Sequence, residues 1–195
     1  MPRPRLPSAD QAIVQATRAL LLERGYGGVS IEAVAARAGV AKTTVYRRWP
    51  SKAELVFEAA IHHSRLGPAP DTGSLVGDLT AVAVIIVRSL ARTVAAAALT
   101  GLIADLDQDR ALHDRVIARF IGAEQAWIAT IVRRAAGRGE VGDSVRPDLV
   151  LDLLLGPVVS RTFLTGRSAG RDFGERVAMI VARGLARDVN REENQ

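Results

Sequence analysis

Apolar residues recur at helical spacing from the N-terminal end of the chain onward. Ser8, with Gln11 three residues later, has the pattern of a capping box, in which two side chains satisfy free backbone N–H groups at a helix start. The apolar positions that follow have a period of three to four residues, and Gly25 provides a helix stop. These positions are Ala12, Ile13, Ala16, Leu20 and Leu21. The pattern predicts a first helix between Ser8 and Gly25.

Three further helices are predicted in the first third of the chain. Ser30 has the side chain of a helix N-cap, and Gly39 marks the end of the helix it begins. The segment KTTVYRRW, residues 42–49, follows after only a few residues and is ended by a proline. Ser51 is the N-cap of a fourth helix, which we expect to continue to Leu66.

The Pro- and Gly-rich stretch LGPAPDTG, residues 66–73, predicts a boundary between two parts of the chain. No stretch shows the alternation of apolar and polar residues that is typical of a strand. Long helical stretches are predicted instead at about 75–97, 99–107, 110–136, 148–166 and 171–189, with a loop at 137–147. We therefore predict an all-α protein of about nine helices.

The net charge of +5 lies entirely in the first third of the chain. Residues 1–65 contain ten Lys and Arg against five Asp and Glu, whereas residues 66–195 contain sixteen of each, which sum to the 26 and 21 of the whole chain. Charge localised in this way indicates an acidic partner, most simply nucleic acid, although a basic solvated surface is the plain alternative.

Composition excludes several other classes of protein. The chain has no cysteine, so it has neither a disulfide nor a thiolate metal site. The N-terminal segment lacks the apolar core of a signal peptide. The most apolar run, TAVAVIIV at 80–87, is followed by Arg88 and Arg92 and is short for a membrane span. We expect a cytoplasmic protein that does not associate with membranes.

Candidate catalytic and metal-binding residues are few. His62 and His63 are adjacent, so on a helix they point about 100° apart and do not chelate one metal ion as an i, i+4 pair does. Asp109 and His113 have that i, i+4 spacing, but two ligands alone are a weak metal signal. Ser64 and Ser160 have no base at a spacing typical of a catalytic pair. We predict no enzyme activity, no metal site and no cofactor.

Two short helices joined by a tight turn, with another helix packed behind them, form a helix-turn-helix arrangement. In this arrangement the second helix enters the major groove, and its N-terminal residues face the base edges. Those residues are Lys42, Thr43 and Thr44; lysine donates to guanine, and threonine bonds a base or touches a thymine methyl. Ser30 and Lys52 flank them and are candidate phosphate contacts.

The second of these short helices has one apolar residue at its centre. Val45 is therefore predicted to face inward and to anchor the helix, with Trp49 partly buried behind it. Tyr46 and Arg47 then lie outward beside the two residues that begin the helix. For Tyr46 the alternative is simple packing with the hydroxyl left in water.

Residues 8–55 closely resemble the DNA-binding domain of the TetR family of transcriptional repressors. The matching positions are Gly25, Tyr26, Ser30, Ile31, Ala35, Ala38, Gly39, Val40, Thr44, Val45, Tyr46, Trp49, Ser51, Lys52 and Leu55. The resemblance implies a DNA-binding domain over residues 1–55. It also implies that two sets of side chains contact the operator: Lys42, Thr43, Thr44, Tyr46 and Arg47 on the bases, and Ser30, Arg48 and Lys52 on phosphates.

The same resemblance implies that residues 56–195 form a ligand-binding and dimerisation domain. The last two helices, which include LLLGPVVSRTFLTG at 153–166, would form a homodimer interface, and Pro157 should kink the first of them. The apolar stripe expected there also contributes to the intrachain core. It consists of Phe173, Val177, Ile180, Val181, Leu185, Leu149, Leu153 and Leu154.

In the family, helices four to seven enclose a ligand pocket, and ligand binding moves helix four so that the two DNA-binding domains lose their spacing. Candidate lining residues, each of which also fits an ordinary core position, are Phe57, Ile61, Leu90, Leu102, Ile103, Phe120 and Trp127. The apolar helix faces that carry these residues contain few ionisable side chains, so the expected effector is apolar or weakly polar.

The sequence thus predicts a ligand-responsive regulator, most simply a repressor. It would bind a palindromic double-stranded DNA operator as a homodimer and be released by a small-molecule effector. The alternative is a sequence-tolerant architectural DNA-binding protein, which would share the basic first third but would not need about 120 neutral helical residues after it.

Overall fold

The protein is all-α, as predicted. The computed structural model describes residues 8–61, 67–91, 93–142 and 144–192, apart from the side chains of Phe120 and of residues 187–192. These residues form ten α-helices, one more than expected, and no strand. The helices are α1 (Ala9–Arg24), α2 (Ile31–Ala38), α3 (Lys42–Arg48), α4 (Lys52–Ala60), α5 (Leu75–Leu90), α6 (Thr93–Gln108), α7 (Arg110–Val116), α8 (Gly122–Gly137), α9 (Pro147–Val159) and α10 (Arg171–Glu192).

Serine side chains begin the helices where the sequence predicts them. Ser8 and Gln11 form the complete capping box at the start of α1. The Ser30 hydroxyl oxygen accepts a hydrogen bond from the Ala33 N–H at 3.1 Å, and Ser51 caps α4 in the same way. Each cap satisfies a backbone donor that the first helical turn leaves free. Local sequence therefore fixes where these helices begin.

A left-handed glycine sets the turn between α2 and α3. Gly39 has φ 67° and ψ 33°, and its N–H bonds back to the last turn of α2. Side chains with a Cβ avoid this region, whereas glycine adopts it freely. The turn lets α3 begin only three residues after α2 ends, which produces the predicted helix-turn-helix arrangement.

The helices group into two compact units. One comprises residues 1–64 and 92–117, and thus contains α1 to α4 with α6 and α7. The other comprises residues 65–91 and 118–195, and contains α5 and α8 to α10. The proposed domain boundary at residue 55 remains a prediction.

In the first unit, α1 packs on α2, α4 and α6, and α6 also packs on α4. Its core includes Ile13, Leu21, Leu55 and Leu102, which are almost completely buried. A buried carboxylate, Glu54 on α4, lies 3.4 Å from the guanidinium of Arg115 on α7. The unit therefore ties the first four helices to α6 and α7 by apolar and ionic contacts.

In the second unit, α5 and α10 pack closely along each other. A Cβ on Gly174 would lie 3.0 Å from Val87 and 3.3 Å from the Ala83 carbonyl, so glycine permits this approach. The buried Asp78 carboxylate accepts hydrogen bonds from the N–H and hydroxyl of Thr72, at 2.6 and 2.8 Å. These bonds fix the chain where it enters α5.

Several predicted helix boundaries are wrong. The α-helix of α4 ends at Ala60 and Ile61 lies in a turn, while residues 62–66, including His62 and His63, lie outside the described part. The break expected near residue 98 occurs instead after Leu90. No glycine or proline stands there to signal it. The stretch at 110–136 is helical throughout but is divided by a π-helical segment, Ile117–Ile121.

Pro157 lies inside α9, as predicted, and has no N–H to donate to the preceding turn. The helix widens into a second π-helical segment, Ser160–Leu164, three residues later. π-turns accommodate interruptions of the helical hydrogen-bond pattern.

No single helix among the described residues has the length and apolar composition needed to cross a membrane. In this part of the chain, α5 and α6 meet that test of length and composition when they are taken together as a pair.

We predict that Gly39→Ala lowers the free energy of unfolding by about 1–2 kcal/mol, because alanine pays the cost of the left-handed conformation. The matched control is Gly27→Ala, since a Cβ at Gly27 would meet no atom within 4 Å and needs no positive φ. Chemical denaturation followed by circular dichroism measures both. Equal stability of the two variants would contradict this role of Gly39.

Candidate nucleic-acid interface

Two buried side chains hold α3 from its inner face. Val45 is completely buried and Trp49, one helical turn later, is 2% exposed. The Trp49 indole N–H donates to Glu58 on α4 at 2.8 Å, so its polar atom is satisfied. The prediction of an inward Val45 is confirmed, and Trp49, which was expected to be partly buried, is almost completely buried. This anchoring turns the opposite face of α3 toward solvent.

The outward face of α3 is polar and basic. Lys42, Thr43, Tyr46 and Arg47 are all exposed, and the Tyr46 side chain is 47% exposed. The structure therefore brings four of the predicted DNA-facing residues onto one face of one helix. Thr44 is only half-buried and lies between this face and the core.

The basic residues at both ends of α3 have acidic partners in the free protein. The Lys42 ammonium lies 3.0 Å from Glu32 on α2. A backbone hydrogen bond and then this lysine hold the pKa of Glu32 below its ordinary value. Arg48 forms an ion pair with Asp10 on α1. Both pairs are exposed to solvent, so an anion can compete for either cation.

The two flanking candidates are also engaged within the protein. The Ser30 oxygen caps α2, and this residue is partly exposed. The Lys52 ammonium lies 3.9 Å from the centre of the Tyr26 ring. Burial lowers the pKa of Lys52, while the nearby Asp105 carboxylate acts in the opposite direction. Lys52 is thus held over an aromatic face at the start of α4.

A cluster around Tyr26 was missed in the sequence. The Tyr26 hydroxyl donates to Asp105 on α6, and the ring packs where Gly101 leaves room on the same helix. The signal available was a glycine within an alanine-rich helix followed four residues later by an aspartate. Nothing local connects that pair to a tyrosine about 80 positions earlier.

The seven candidate effector residues fall in different environments. In the first unit, Phe57 and Leu102 are buried, Ile61 is partly exposed and Ile103 is exposed. In the second unit, Leu90 is buried and Trp127 is half-buried. The side chain of Phe120 lies outside the described part of the chain. The Trp127 indole N–H donates to the Gly67 carbonyl at 3.0 Å.

Within the described ranges, no three His, Asp or Glu side chains are grouped so as to hold a metal ion.

Two family models match the chain. The model described as bacterial regulatory proteins of the tetR family matches residues 13–59. The model of the tetracyclin repressor-like C-terminal domain matches residues 69–181, which is more than half of the chain. The matched regions include the helix-turn-helix and most of the helices that follow.

Individual relatives are similar over most of their length. An uncharacterised helix-turn-helix-type transcriptional regulator of Mycobacterium tuberculosis is 34% identical over 175 residues, which cover 87% of this chain and 86% of the relative. A DNA-binding transcriptional repressor, TetR, of Mycobacteroides abscessus is 32% identical, with 80% and 82% covered. Both relatives are transcriptional regulators by name.

Solved structures share the fold. The TetR family transcription regulator SCO0332 aligns with a TM-score of 0.68 at 25% identity, covering 92% of this chain and 99% of that one. NalD, a secondary repressor of a multidrug efflux pump in Pseudomonas aeruginosa, aligns with a TM-score of 0.57 at 24% identity, covering 92% and 98%.

We predict an alkaline loss of stability that depends on Tyr26. Burial, and then the hydrogen bond to Asp105, raise the pKa of Tyr26 above its ordinary value. Above about pH 10 the unfolded chain therefore releases this proton while the folded chain keeps it, so the free energy of unfolding falls as pH rises. Tyr26→Phe should reduce that fall.

Denaturant titrations between about pH 9 and 11 measure the effect, since this range spans the ordinary tyrosine pKa. Tyr46→Phe removes an exposed hydroxyl and is the matched control, which should keep the wild-type dependence on pH. The same pH dependence in wild type and Tyr26→Phe would refute the prediction.

Proposed function

The chain belongs to the TetR family of bacterial regulatory proteins, and from this membership we propose that it is a ligand-responsive repressor. It binds a palindromic operator as a homodimer and is released by a small molecule. Regulators of this family are not enzymes. The observation that carries the proposal is the outward face of α3, on which Lys42, Thr43, Tyr46 and Arg47 stand free of the core.

In this proposal the N-terminal end of α3 enters the major groove. Lys42 donates to guanine O6 and N7, and Thr43 and Thr44 contact neighbouring base edges. Tyr46 and Arg47 lie one turn further along and extend the contact. A helix of seven residues contacts only a few base pairs, so one DNA-binding domain alone has little sequence specificity.

Phosphate contacts position this helix without reading sequence. We assign them to Ser30 and Lys52, which lie on either side of α3 in the sequence, and to Arg48, the last residue of α3. Binding then exchanges the Arg48–Asp10 ion pair for a phosphate, and the Lys42–Glu32 pair for a base. Glu32 and Asp10 therefore compete with DNA for these cations and lower the net gain from each contact.

A homodimer supplies the second half-site. The two DNA-binding domains of such a dimer contact half-sites about 34–36 Å apart, which is one turn of DNA. The support is an exposed apolar stripe on the last two helices, where Ile180 is 71% exposed, Leu149 48% and Leu153 42%. Leu149 and Leu153 are four residues apart and share one face of α9, and exposed apolar patches often mark protein–protein contacts.

The remaining residues expected in that interface have other positions. Leu154, Val177, Val181 and Leu185 are buried in the core of their own unit, so they do not form a free surface. Phe173 is half-buried, and the Arg161 guanidinium lies 4.6 Å from its ring centre. The proposed interface therefore contains fewer residues than the apolar stripe that the sequence predicted.

We assign release from DNA to an apolar or weakly polar organic molecule. The candidate contacts remain Phe57, Ile61, Leu90, Leu102, Ile103, Phe120 and Trp127. Because the Trp127 N–H already bonds the Gly67 carbonyl, Trp127 would offer the effector its ring face alone. A small-molecule screen for release of a bound fluorescent operator tests this assignment.

The function is tested on duplexes selected by the protein from genomic DNA. We expect protection of a two-fold symmetric site, and we expect Lys42→Ala to cost about 1–3 kcal/mol on that site and to relax discrimination at one base pair. Arg110→Ala removes a highly exposed charge on α7 and is the matched control, which should bind as wild type does. Protection of random DNA without preference, with equal weakening of all sequences by Lys42→Ala, would instead support an architectural DNA-binding protein.

The dimer is tested by placing a charge on the exposed stripe. Ile180→Asp should convert the protein from dimer to monomer at micromolar concentration and weaken operator binding, because a buried unpaired carboxylate is costly. Leu22→Asp changes an equally apolar, exposed residue on α1 and should leave the dimer intact. Analytical ultracentrifugation measures the oligomeric state of the wild type and both variants. A monomeric wild-type protein would exclude the proposed homodimer.

A further inference from the structure

Tyr26 connects a lysine on α4 with a carboxylate on α6. The tyrosine lies in the turn between α1 and α2 and is 8% exposed. The face of its ring carries the Lys52 ammonium at 3.9 Å from the ring centre. The hydroxyl at the far end of the ring donates to Asp105 Oδ2. All three residues belong to the first compact unit.

The surface of α6 is shaped to receive this ring. Gly101 and Asp105 are four residues apart and therefore lie on one face of the helix. A Cβ on Gly101 would come within 2.3 Å of Tyr26 Cδ1 and 2.5 Å of Cγ. The ring thus packs directly on the α6 backbone at Gly101, and Asp105 receives its hydroxyl one turn later. This combination fixes both the position and the tilt of the ring.

The ring holds the Lys52 ammonium from one side and leaves the N–H donors that point away from the ring available. An ammonium group has three N–H donors, and an aromatic face attracts the cation through its quadrupole instead of through a carbonyl or carboxylate acceptor. Hydrogen-bond donation from the phenol to a carboxylate polarises the ring and makes its face more negative. An ammonium placed in this way can donate to a further anion without leaving the ring.

We propose that Tyr26 is a positioning residue for DNA binding: its ring, packed on Gly101, holds the Lys52 ammonium in place for a phosphate contact. This inference rests on the phosphate role assigned to Lys52 above. The contact is made with the lysine still over the ring, so binding does not require the ordering of a long flexible side chain.

The arrangement also makes a DNA contact depend on α6. Tyr26 and Lys52 lie in the stretch matched by the N-terminal family model, whereas Gly101 and Asp105 lie in the stretch matched by the C-terminal model. A movement of α6 that withdraws the glycine surface removes the support of the ring. The Lys52 ammonium then loses its fixed position.

The chain contains only two lysines, which makes a direct test simple. Protein labelled with ¹³C at lysine gives one ε-CH₂ signal each for Lys42 and Lys52, assigned with Lys42→Arg and Lys52→Arg. We expect the Lys52 signal to be shifted upfield by the ring current of Tyr26, both in the free protein and with a short random-sequence duplex bound. Movement of that signal to the position of an unstacked lysine on DNA addition would overturn the proposal.

Salt dependence of binding to the same duplex provides a second readout. Lys52→Ala should reduce the slope of log affinity against log salt by about 1, as expected for one lost phosphate contact. Tyr26→Leu should produce the same reduction, and combining it with Lys52→Ala should reduce the slope no further. Tyr26→Phe keeps the ring and should therefore have the same slope as wild type.

The outcomes separate this inference from the function it rests on. If Lys52→Ala has the wild-type slope of log affinity against log salt, Lys52 does not contact a phosphate, and its role in the proposed function is wrong. If Lys52→Ala reduces the slope but folded Tyr26→Leu keeps the wild-type slope, the phosphate contact of Lys52 stands. Only the positioning role of Tyr26 is then rejected. If Tyr26→Leu does not fold, the lysine signals and the Tyr26→Phe slope still decide, because both use proteins that keep the ring.

Discussion

Burial of Val45 and Trp49 is the interaction on which the proposed DNA-binding surface depends. An isolated helix of seven residues is unstable in water, because the cost of nucleating it exceeds the gain from its few hydrogen bonds. The two buried side chains, one turn apart, supply the missing free energy and leave a single orientation for α3. The polar face that carries Lys42 and Thr43 points to solvent as a direct result.

Ion pairs with neighbouring carboxylates are a second feature of this surface. In the free protein Lys42 is paired with Glu32, and Arg48 with Asp10, so the localised excess of positive charge is partly neutralised by neighbours from α2 and α1. Lys52 differs, since its ammonium rests on an aromatic ring instead of a carboxylate. The two lysines thus have different surroundings, which fits a specific contact for one and a backbone contact for the other.

Sequence predicts those parts of the structure that are locally encoded. Ser8, Ser30 and Ser51 cap helices where predicted, and Gly39 ends α2, because each acts within its own turn. The break after Leu90 has no such local signal, and the contact of Tyr26 with Asp105 joins residues about 80 positions apart. Long-range contacts of this kind depend on how helices pack, so periodicity and capping rules do not reveal them.

A structure of the protein bound to its selected duplex would show whether α3 is the helix that reads the operator. We expect the N-terminal end of α3 to lie in the major groove, with the Lys42 ammonium released from Glu32 and within hydrogen-bond distance of a base edge. A complex in which Lys42 remains paired with Glu32, and another surface of the protein contacts the DNA, would contradict it.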